Sequence, residues 1–497
     1  MSDRFTRRAF GQAAAGALGA FGAAPQLLAA AADAKAEPAG PEKMQNLPAV
    51  GSRTPTAGNF AAGVFHEAAR DVPIVEECDV IVCGAGPAGI AAAVNAARGG
   101  AKTRLLEVHG CLGGVWTAGA LTWILDYANK PGLMAEIVRH LEARYAQKHK
   151  GSVAYDVEQM KLLLEELVSA VGVRVQLHTR VVAALKDKDN RLSLVVTESK
   201  SGRQAWKAKT FIDCTGDGDL AALAGCGFDY GSPDGGLAQP MSLMALLTGL
   251  KPEEVTPFTR ELAESGGWAG PKDRLKAEME KGGHSPSYAK PTMFHLREDL
   301  FALMANHEYG VSAMDAGQIT AATMRARGEL HKLVNGLRGL GGVWQNVKIV
   351  ATGEQIGVRE GRRIRGLYEV STNDLAIGVR HKDAVCRVTF GIDVHSTDPT
   401  KTKGIEAKPV KSRPYDIPYR ALVAKDCDGL LLAGRCISGD FIAHSSYRVT
   451  GNSVALGEAA GAAAAVAAMN NTTPRETDFE DIRPTWTRLQ FEQAMKT

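Results

Sequence analysis

Apolar residues follow two rhythms along this chain, and the alternation between them predicts its elements. Residues 78–98 read as a buried strand, a glycine turn and a helix, and 102–107 as a second buried strand. Apolar positions recur at helical spacing over 133–145 and 158–171, predicting two amphipathic helices. Segments 173–178, 181–186, 192–198 and 205–209 alternate as in a small antiparallel sheet, and 210–216 is again a buried strand running into glycine. From 237 to about 415 the pattern mixes strands, a charged helical stretch at 252–281 and two helices within 314–340. After 415 the chain returns to sheet and glycine, with a strand at 429–434, an alanine-rich helix at 452–469 and a surface helix at 478–495. Residues 33–72 are rich in Ala, Pro and Gly with weak periodicity, as in a linker.

The first strand–turn–helix carries chemistry. It reads Asp79-Val-Ile-Val-Cys-Gly-Ala-Gly-Pro-Ala-Gly-Ile90. Gly84 allows the tight turn, Gly86 lets backbone N–H groups approach a pyrophosphate, and Gly89 lets the helix pack on the sheet. Pro87 and Ala88 open the helix, whose positive end faces the phosphates. Glu107 ends the second strand about 20 residues on, where an acid accepts a hydrogen bond from a ribose 2′-hydroxyl and repels a 2′-phosphate. Strand, helix and acid fall in register, which predicts a dinucleotide site.

Composition narrows the class. The 497 residues suffice for two or three domains, and a net charge of +3 without a basic block gives no case for nucleic acid. The N-terminus has Arg7-Arg8 before Phe10, a mildly apolar run at 13–28 and Ala-x-Ala sites near 30–34, the pattern of a twin-arginine (Tat) export signal. It predicts a periplasmic or otherwise exported protein, the Tat machinery as a partner, and no stable membrane span in the mature chain. Eight cysteines are scattered without zinc spacing, so no metal site is expected. Most read as buried thiols, with one or two disulfides open to an exported chain.

Three glycine-bearing segments each follow an apolar strand: Gly84 to Gly89, Thr215-Gly-Asp-Gly-Asp219 and Ala433-Gly-Arg-Cys-Ile-Ser-Gly-Asp440. In an open parallel sheet the strand ends converge on one crevice, where a long cofactor touches all three, including Thr215, Gly216, Asp217 and Gly434. Asp440 is placed for the sugar-alcohol chain of a flavin. Gly451-Asn452-Ser453-Val454 begins a helix whose N–H groups face the flavin's N1/C2=O edge.

Together with Gly113-Gly114, Phe211 to Leu220, Ile356 to Ile364, Ile417 to Arg420 and His444 to Val449, these segments resemble the FAD-dependent oxidoreductases of glutathione-reductase-like fold, relatives of the fumarate reductase and succinate dehydrogenase flavoproteins. The resemblance covers about residues 78–470. It implies an α/β fold, with a Rossmann-like FAD-binding domain and an inserted α+β substrate or cap domain. The expected organisation is a signal at 1–36, a lead-in at 37–77, the FAD domain at 78–236 and 415–470, the cap at 237–414 and a tail helix at 471–497. Gly113, Gly114 and Val182 join the expected FAD contacts. The pattern departs at Gly361, where the family more often has a side chain such as Ser.

His444, Tyr447 and Arg448 lie between Asp440 and the helix at Gly451, which points to the flavin ring. A neutral imidazole suits proton removal from an alcohol or amine while hydride goes to flavin N5, and Arg448 suits a carboxylate or the reduced flavin's charge. His395 is a further candidate facing the flavin. Arg359, beside Glu360, Arg362 and Arg363, has either a substrate-anion role or a place in a salt-bridge network. His109 and Cys111 are either loop residues near the pyrophosphate or a covalent flavin attachment. The expected function is exported, FAD-dependent oxidation of a small organic substrate, with a quinone, a cytochrome or oxygen as electron acceptor. A reductase of an unsaturated small acid, or a flavin-bearing redox subunit without its own substrate, are the alternatives.

Overall fold

A computed structural model describes residues 58–61, 63–149, 152–259, 262 and 269–495. The strands Gly58–Ala61 and Val64–Glu67 form a hairpin within a first unit, 1–68, and residues 69–497 form the second, to which all that follows belongs. The expected export signal at 1–36 lies outside the described residues.

Seven strands make the main sheet. β1 (Ile74–Cys83) leads through Gly84–Gly86 into α1 (Pro87–Arg98), and β2 (Thr103–Leu106) pairs parallel to β1. α2 (Val157–Ala170) precedes β3 (Arg174–Gln176), which pairs parallel to β2. β4 (Arg180–Lys186), β5 (Leu192–Ser199) and β6 (Gly202–Asp213) are antiparallel neighbours. They extend the main sheet and do not form a separate small one, because β6 is one strand of 12 residues. No glycine or proline interrupts it after Gly202. One edge of β6 pairs parallel with β1; the other takes β5 first and later β11 (Leu430–Leu432). β1, β6 and β11 therefore end side by side, as the three glycine segments require.

α1 is covered by a second helix, α5 (Thr450–Asn470). Gly457 and Gly461 of α5 lie over the backbone carbonyls of Ala88 and Ala92, where a Cβ would collide. Small residues on both helices thus set a close approach, and the pair belongs to the main core. α5 has the length and hydropathy of a membrane span, but 89% of its apolar window is buried inside the protein.

A second core lies under a four-stranded antiparallel sheet of β7 (Met244–Thr248), β8 (Thr292–Arg297), β9 (Leu300–Met304) and β10 (Lys348–Thr352), in the order β8–β9–β7–β10. Helix α3 (Ala316–Gly339) supplies Leu330, Leu333, Val334 and Leu337 to this core. It is one helix of 24 residues where two were expected, N-capped by Asp315 accepting from the Gln318 N–H at 2.9 Å. The buried apolar residues from Ile364 to Val394 join the main core, so segment 237–414 is shared between two cores. The short helix α4 (Phe441–Tyr447) precedes α5, and the tail helix α6 (Phe479–Met495) buries Phe479, Ile482 and Leu489. All eight cysteines are free thiols.

Candidate active site

A cavity of about 500 Å³ opens at the carboxyl ends of β1, β2, β6 and β11, within the size range of a cofactor or ligand site. One end is walled mainly by backbone. Gly84 has φ +94°, and a Cβ there would meet the Cys214 carbonyl oxygen at 2.5 Å. Gly86 lines the cavity, and a Cβ on it would meet no atom within 4 Å, so the space it leaves is the cavity itself. Gly86 is the N-cap of α1, Pro87 follows, and the first turn has no acid, leaving its positive end open to an anion. Gly89 is absent from the wall; a Cβ there would strike the Gly84 carbonyl, so it serves the helix–strand contact.

Glu107 lines the same end. Its carboxylate accepts from the Ala85 N–H at 2.5 Å and the His109 N–H at 2.9 Å, fixing the glycine turn while lone pairs remain for a ribose hydroxyl. Thr179, Arg180 and Val181 stand beside it; Val181, and not Val182, faces the cavity. Thr215, Gly216 and Asp217 enter from the end of β6. Asp213 below them accepts from the Thr215 N–H (3.0 Å), the Thr215 hydroxyl (2.7 Å) and the Ala221 N–H (2.8 Å), and burial pushes its carboxyl up to about 6. Gly434 and Arg435 enter from β11, and Arg435 pairs with Asp217 at 3.0 Å. Gly114 and Ser453 complete this wall. A glycine cradle, a helix N-terminus and an acid at the second strand's end fit the pyrophosphate and ribose of FAD.

The other end is walled by side chains. Trp123, Leu125, Phe294, Met304 and Phe390 give it apolar faces, and Val449 and Thr450 bring the start of α5 to it. Tyr288, Arg359, Asp393, His395 and Arg448 supply the polar groups. The Arg359 guanidinium donates to the Pro240 carbonyl at 2.5 Å and the Ser242 hydroxyl at 2.8 Å. Arg448 donates to the Arg359 carbonyl at 3.1 Å and the Asp393 carbonyl at 2.8 Å. Backbone oxygens thus orient two cations at one place, and burial lowers both, Arg448 to about 10.

His395 Nε2 lies 3.4 Å from the Asp393 carboxylate, while its Nδ1 has no hydrogen-bond partner among the protein groups. Burial first, then Arg359, push the imidazole down to about 4, so it is neutral at pH 7. Burial also opposes the Asp393 charge, but the His395 hydrogen bond and the two arginines outweigh it and hold the carboxyl well below its usual range. An ionised Asp393 takes the Nε2 proton as a hydrogen bond and leaves Nδ1 with the lone pair. His307 stacks edge-on to His395 at 4.9 Å and hydrogen-bonds the Tyr309 hydroxyl through Nδ1 at 3.0 Å.

Several expected residues stand off the wall. Asp440 N-caps α4: it accepts from the Ala443 N–H at 2.7 Å and from the Thr372 N–H and hydroxyl at 2.5 and 2.8 Å. His444 is fully buried in α4, edge-on to Tyr447 at 5.6 Å, with neither ring nitrogen bonded to a protein group. Tyr447 donates its hydroxyl to the Ile437 carbonyl at 3.0 Å. Gly113, Gly451, Asn452 and Val454 also lie off the wall; a Cβ on Gly451 would crowd the Leu125 and Asp126 carbonyls. His109 lines the cavity 3.4 Å from Glu354, whereas the Cys111 thiol lies off it and bonds Thr117. Glu360 and Arg363 form the expected ion pair, and Arg362 pairs with Asp219 at 2.9 Å; Arg359 alone of that run faces the cavity. At Gly361 a Cβ would collide with Asp217, which accounts for the missing side chain.

Sequence reasoning missed Asp393, Tyr288, Arg435 and Val181 as wall residues. Asp393 carried a signal: it stands two residues before His395, and on extended backbone such a pair shares a face.

Several known proteins are similar to this chain. Thiamine thiazole synthase of Pyrococcus horikoshii is 31% identical over 165 residues, and that of Pyrococcus abyssi 29% over 161. Each match takes in 31% of this chain and 63% of the relative, so the chain spans under two thirds of these relatives' length. Among solved structures, a geranylgeranyl bacteriochlorophyll reductase-like protein of Thermoplasma acidophilum is similar at 12% identity and TM-score 0.44, covering 85% of this chain and 89% of that one. The p-nitrophenol 4-monooxygenase of Pseudomonas putida is similar at 12% identity and TM-score 0.43, covering 85% and 91%. Residues 79–485 match the family described as FAD dependent oxidoreductase; the chain belongs to that family, and is an oxidoreductase with FAD as its cofactor.

Proposed function

We propose that the protein oxidises a small alcohol or amine bearing a carboxylate, and that a quinone, a cytochrome or oxygen takes the electrons onward. The observation that carries this reading is the Asp393–His395 pair beside Arg359 and Arg448, on the wall of the same cavity as Gly86. FAD, when bound, supplies the two-electron acceptor. Gly84, Gly86, Pro87, Ala88, Glu107, Thr215, Gly216, Asp217, Gly434 and Ser453 hold it through backbone and short polar side chains. Arg359 and Arg448 bind the substrate carboxylate, with their guanidinium planes already oriented by backbone carbonyls. His395 Nδ1 receives the proton from the substrate hydroxyl or ammonium group. Asp393 fixes the tautomer and stabilises the imidazolium that results. Trp123, Phe294 and Phe390 exclude water from the reacting carbon.

Export by the Tat route belongs to the same proposal, supported by Arg7-Arg8 and the apolar run behind them. It favours substrate as the electron source, since soluble nicotinamides are expected inside the cell. Replacing Arg7 and Arg8 by Lys then keeps the protein in the cytoplasm; undiminished periplasmic protein rejects the signal. Anaerobic screening of hydroxy and amino acids for bleaching of the purified yellow protein tests the reaction. Bleaching by uncharged alcohols as readily as by their carboxylate counterparts contradicts the arginine assignment.

A further inference from the structure

The antiparallel strands β8 and β9 turn one face of their pair to the cavity. Thr292 and Phe294 of β8 share that face, and Met304 of β9 stands opposite Thr292 in register. At one end of this strip the Arg359 guanidinium lies against the Met304 sulfur at 3.9 Å. At the other the Phe294 ring meets the Trp123 ring, with centroids 5.0 Å apart and planes tilted by 33°. The strand step from Thr292 to Phe294 makes the strip about 7 Å long. Trp123 and Leu125 line the cavity from the same face of their own short strand. The Thr292 hydroxyl already donates to the Lys290 carbonyl at 3.0 Å. Among the described residues, β8, β9 and the strand Trp123–Leu125 bring no charged side chain to the wall. Phe294 and Trp123 are packed in a third apolar cluster with Leu296 and Ala302, which holds both rings in place.

We propose that this strip receives an aromatic side chain, so that the substrate is a 2-hydroxy or 2-amino acid with an aryl group. The inference rests on the reading of Arg359 and Arg448 as partners of the substrate carboxylate. With the carboxylate on Arg359, the side chain runs past the Met304 sulfur and ends against Phe294 and Trp123. An aryl group suits this path better than an alkyl chain. A thioether and two tilted rings attract the edges and faces of a ring in addition to the apolar area they bury. A charged or hydroxylated side chain would give up its water here without gaining a partner.

The test uses the holoprotein and acids that differ only in side chain. Under anaerobic conditions 3-phenyllactate or phenylalanine should bleach the flavin with a second-order rate constant roughly 100-fold or more above that of lactate or alanine. One methylene in an apolar pocket already counts for about 10–200-fold. Phe294→Leu, which keeps the strip apolar but removes one ring, should retain FAD and lower that ratio about 10-fold. Phenylacetate and acetate, which carry no hydroxyl or amine to oxidise, serve as dead-end probes. Followed by the shift in absorbance of the oxidised flavin, phenylacetate should bind roughly 100-fold or more tightly than acetate. Equal rates for the aryl and methyl acids, with equal binding of the two probes, overturn the aryl assignment and leave the oxidation standing. Tight phenylacetate binding without bleaching by any acid overturns the oxidation and supports the strip. Loss of FAD from Phe294→Leu assigns the strip to the flavin and overturns the proposal.

Discussion

At one end of the cavity the wall is made of Gly84, Gly86, Gly216 and Gly434, all within a few residues of a strand end. At the other end it is made of Trp123, Tyr288, Phe294, Arg359, Asp393, His395 and Arg448: Phe294 stands on β8, Trp123 on a short strand outside the main sheet, Arg448 at the end of α4, and the rest in loops. The first end presents backbone and needs absent side chains; the second presents side chains that backbone carbonyls hold in place. A cofactor shared by a large family suits the first construction, because backbone N–H groups survive most substitutions. A particular substrate suits the second, because each wall residue can change alone. The comparison predicts that damage to the two ends will separate FAD retention from turnover.

The largest effect is expected at Gly86. Gly86→Val places branches in space that the fold leaves open, so the protein should fold with an ordinary circular dichroism spectrum and be colourless. Full flavin occupancy would show that the pyrophosphate lies elsewhere. Next is His395→Gln, which should keep FAD and slow flavin reduction by substrate roughly 10²–10⁴-fold, the usual contribution of a positioned base. Reduction by dithionite should be unchanged, since it requires no proton from a substrate.

Arg359→Lys should come third. It keeps the charge but loses the planar fork, and a charge-assisted hydrogen bond worth about 1.5–3 kcal/mol corresponds to roughly a 10–150-fold rise in KM for a carboxylate substrate. The pH profile sharpens the same end. Burial depresses His395 to about 4, so its neutral form persists above that pH and is lost only as pH falls through it. The rate of flavin reduction should therefore stay flat from neutrality down to about pH 5, and fall below. A decline centred at the ordinary histidine value would place the base in a more hydrated position. The smallest kinetic effect belongs to His444→Ala: the ring is sealed beneath the wall, so thermal stability should drop while reduction by substrate changes little.

The same contrast explains what could be read from the sequence. The first strand, its helix and Glu107 were legible because turn, cradle and acid occupy fixed spacings along one short segment. β6 was legible as a strand but not as a bridge, since the union of 205–209 with 210–213 depends on neighbours on both edges. α3 read as two helices because Gly328 weakens its local pattern; packing over the second sheet carries the helix through. His444, Tyr447 and Asp440 are adjacent to the glycine segments in sequence, but proximity along the chain is not proximity to the cavity wall. A short helix turns His444 and Tyr447 into the core and uses Asp440 as its cap. Arg359 and Arg448 were each legible as candidates to hold an anion but not as a pair, because what brings them together is contact across 89 positions, through the Arg359 carbonyl. Gln239 is a similar case: its side-chain oxygen accepts from the His395 N–H at 2.9 Å, across 156 positions.

The central claim is that one cavity holds FAD at its backbone-walled end and an oxidisable carboxylate substrate at its side-chain-walled end. Anaerobic stopped-flow mixing of the yellow holoprotein with a bleaching hydroxy or amino acid, in wild type and His395→Gln side by side, tests it most directly. The account predicts rapid, saturable loss of flavin absorbance in the wild type, and the same final bleaching reached at least roughly 100-fold more slowly in the variant. Equal rates in the two proteins would contradict it.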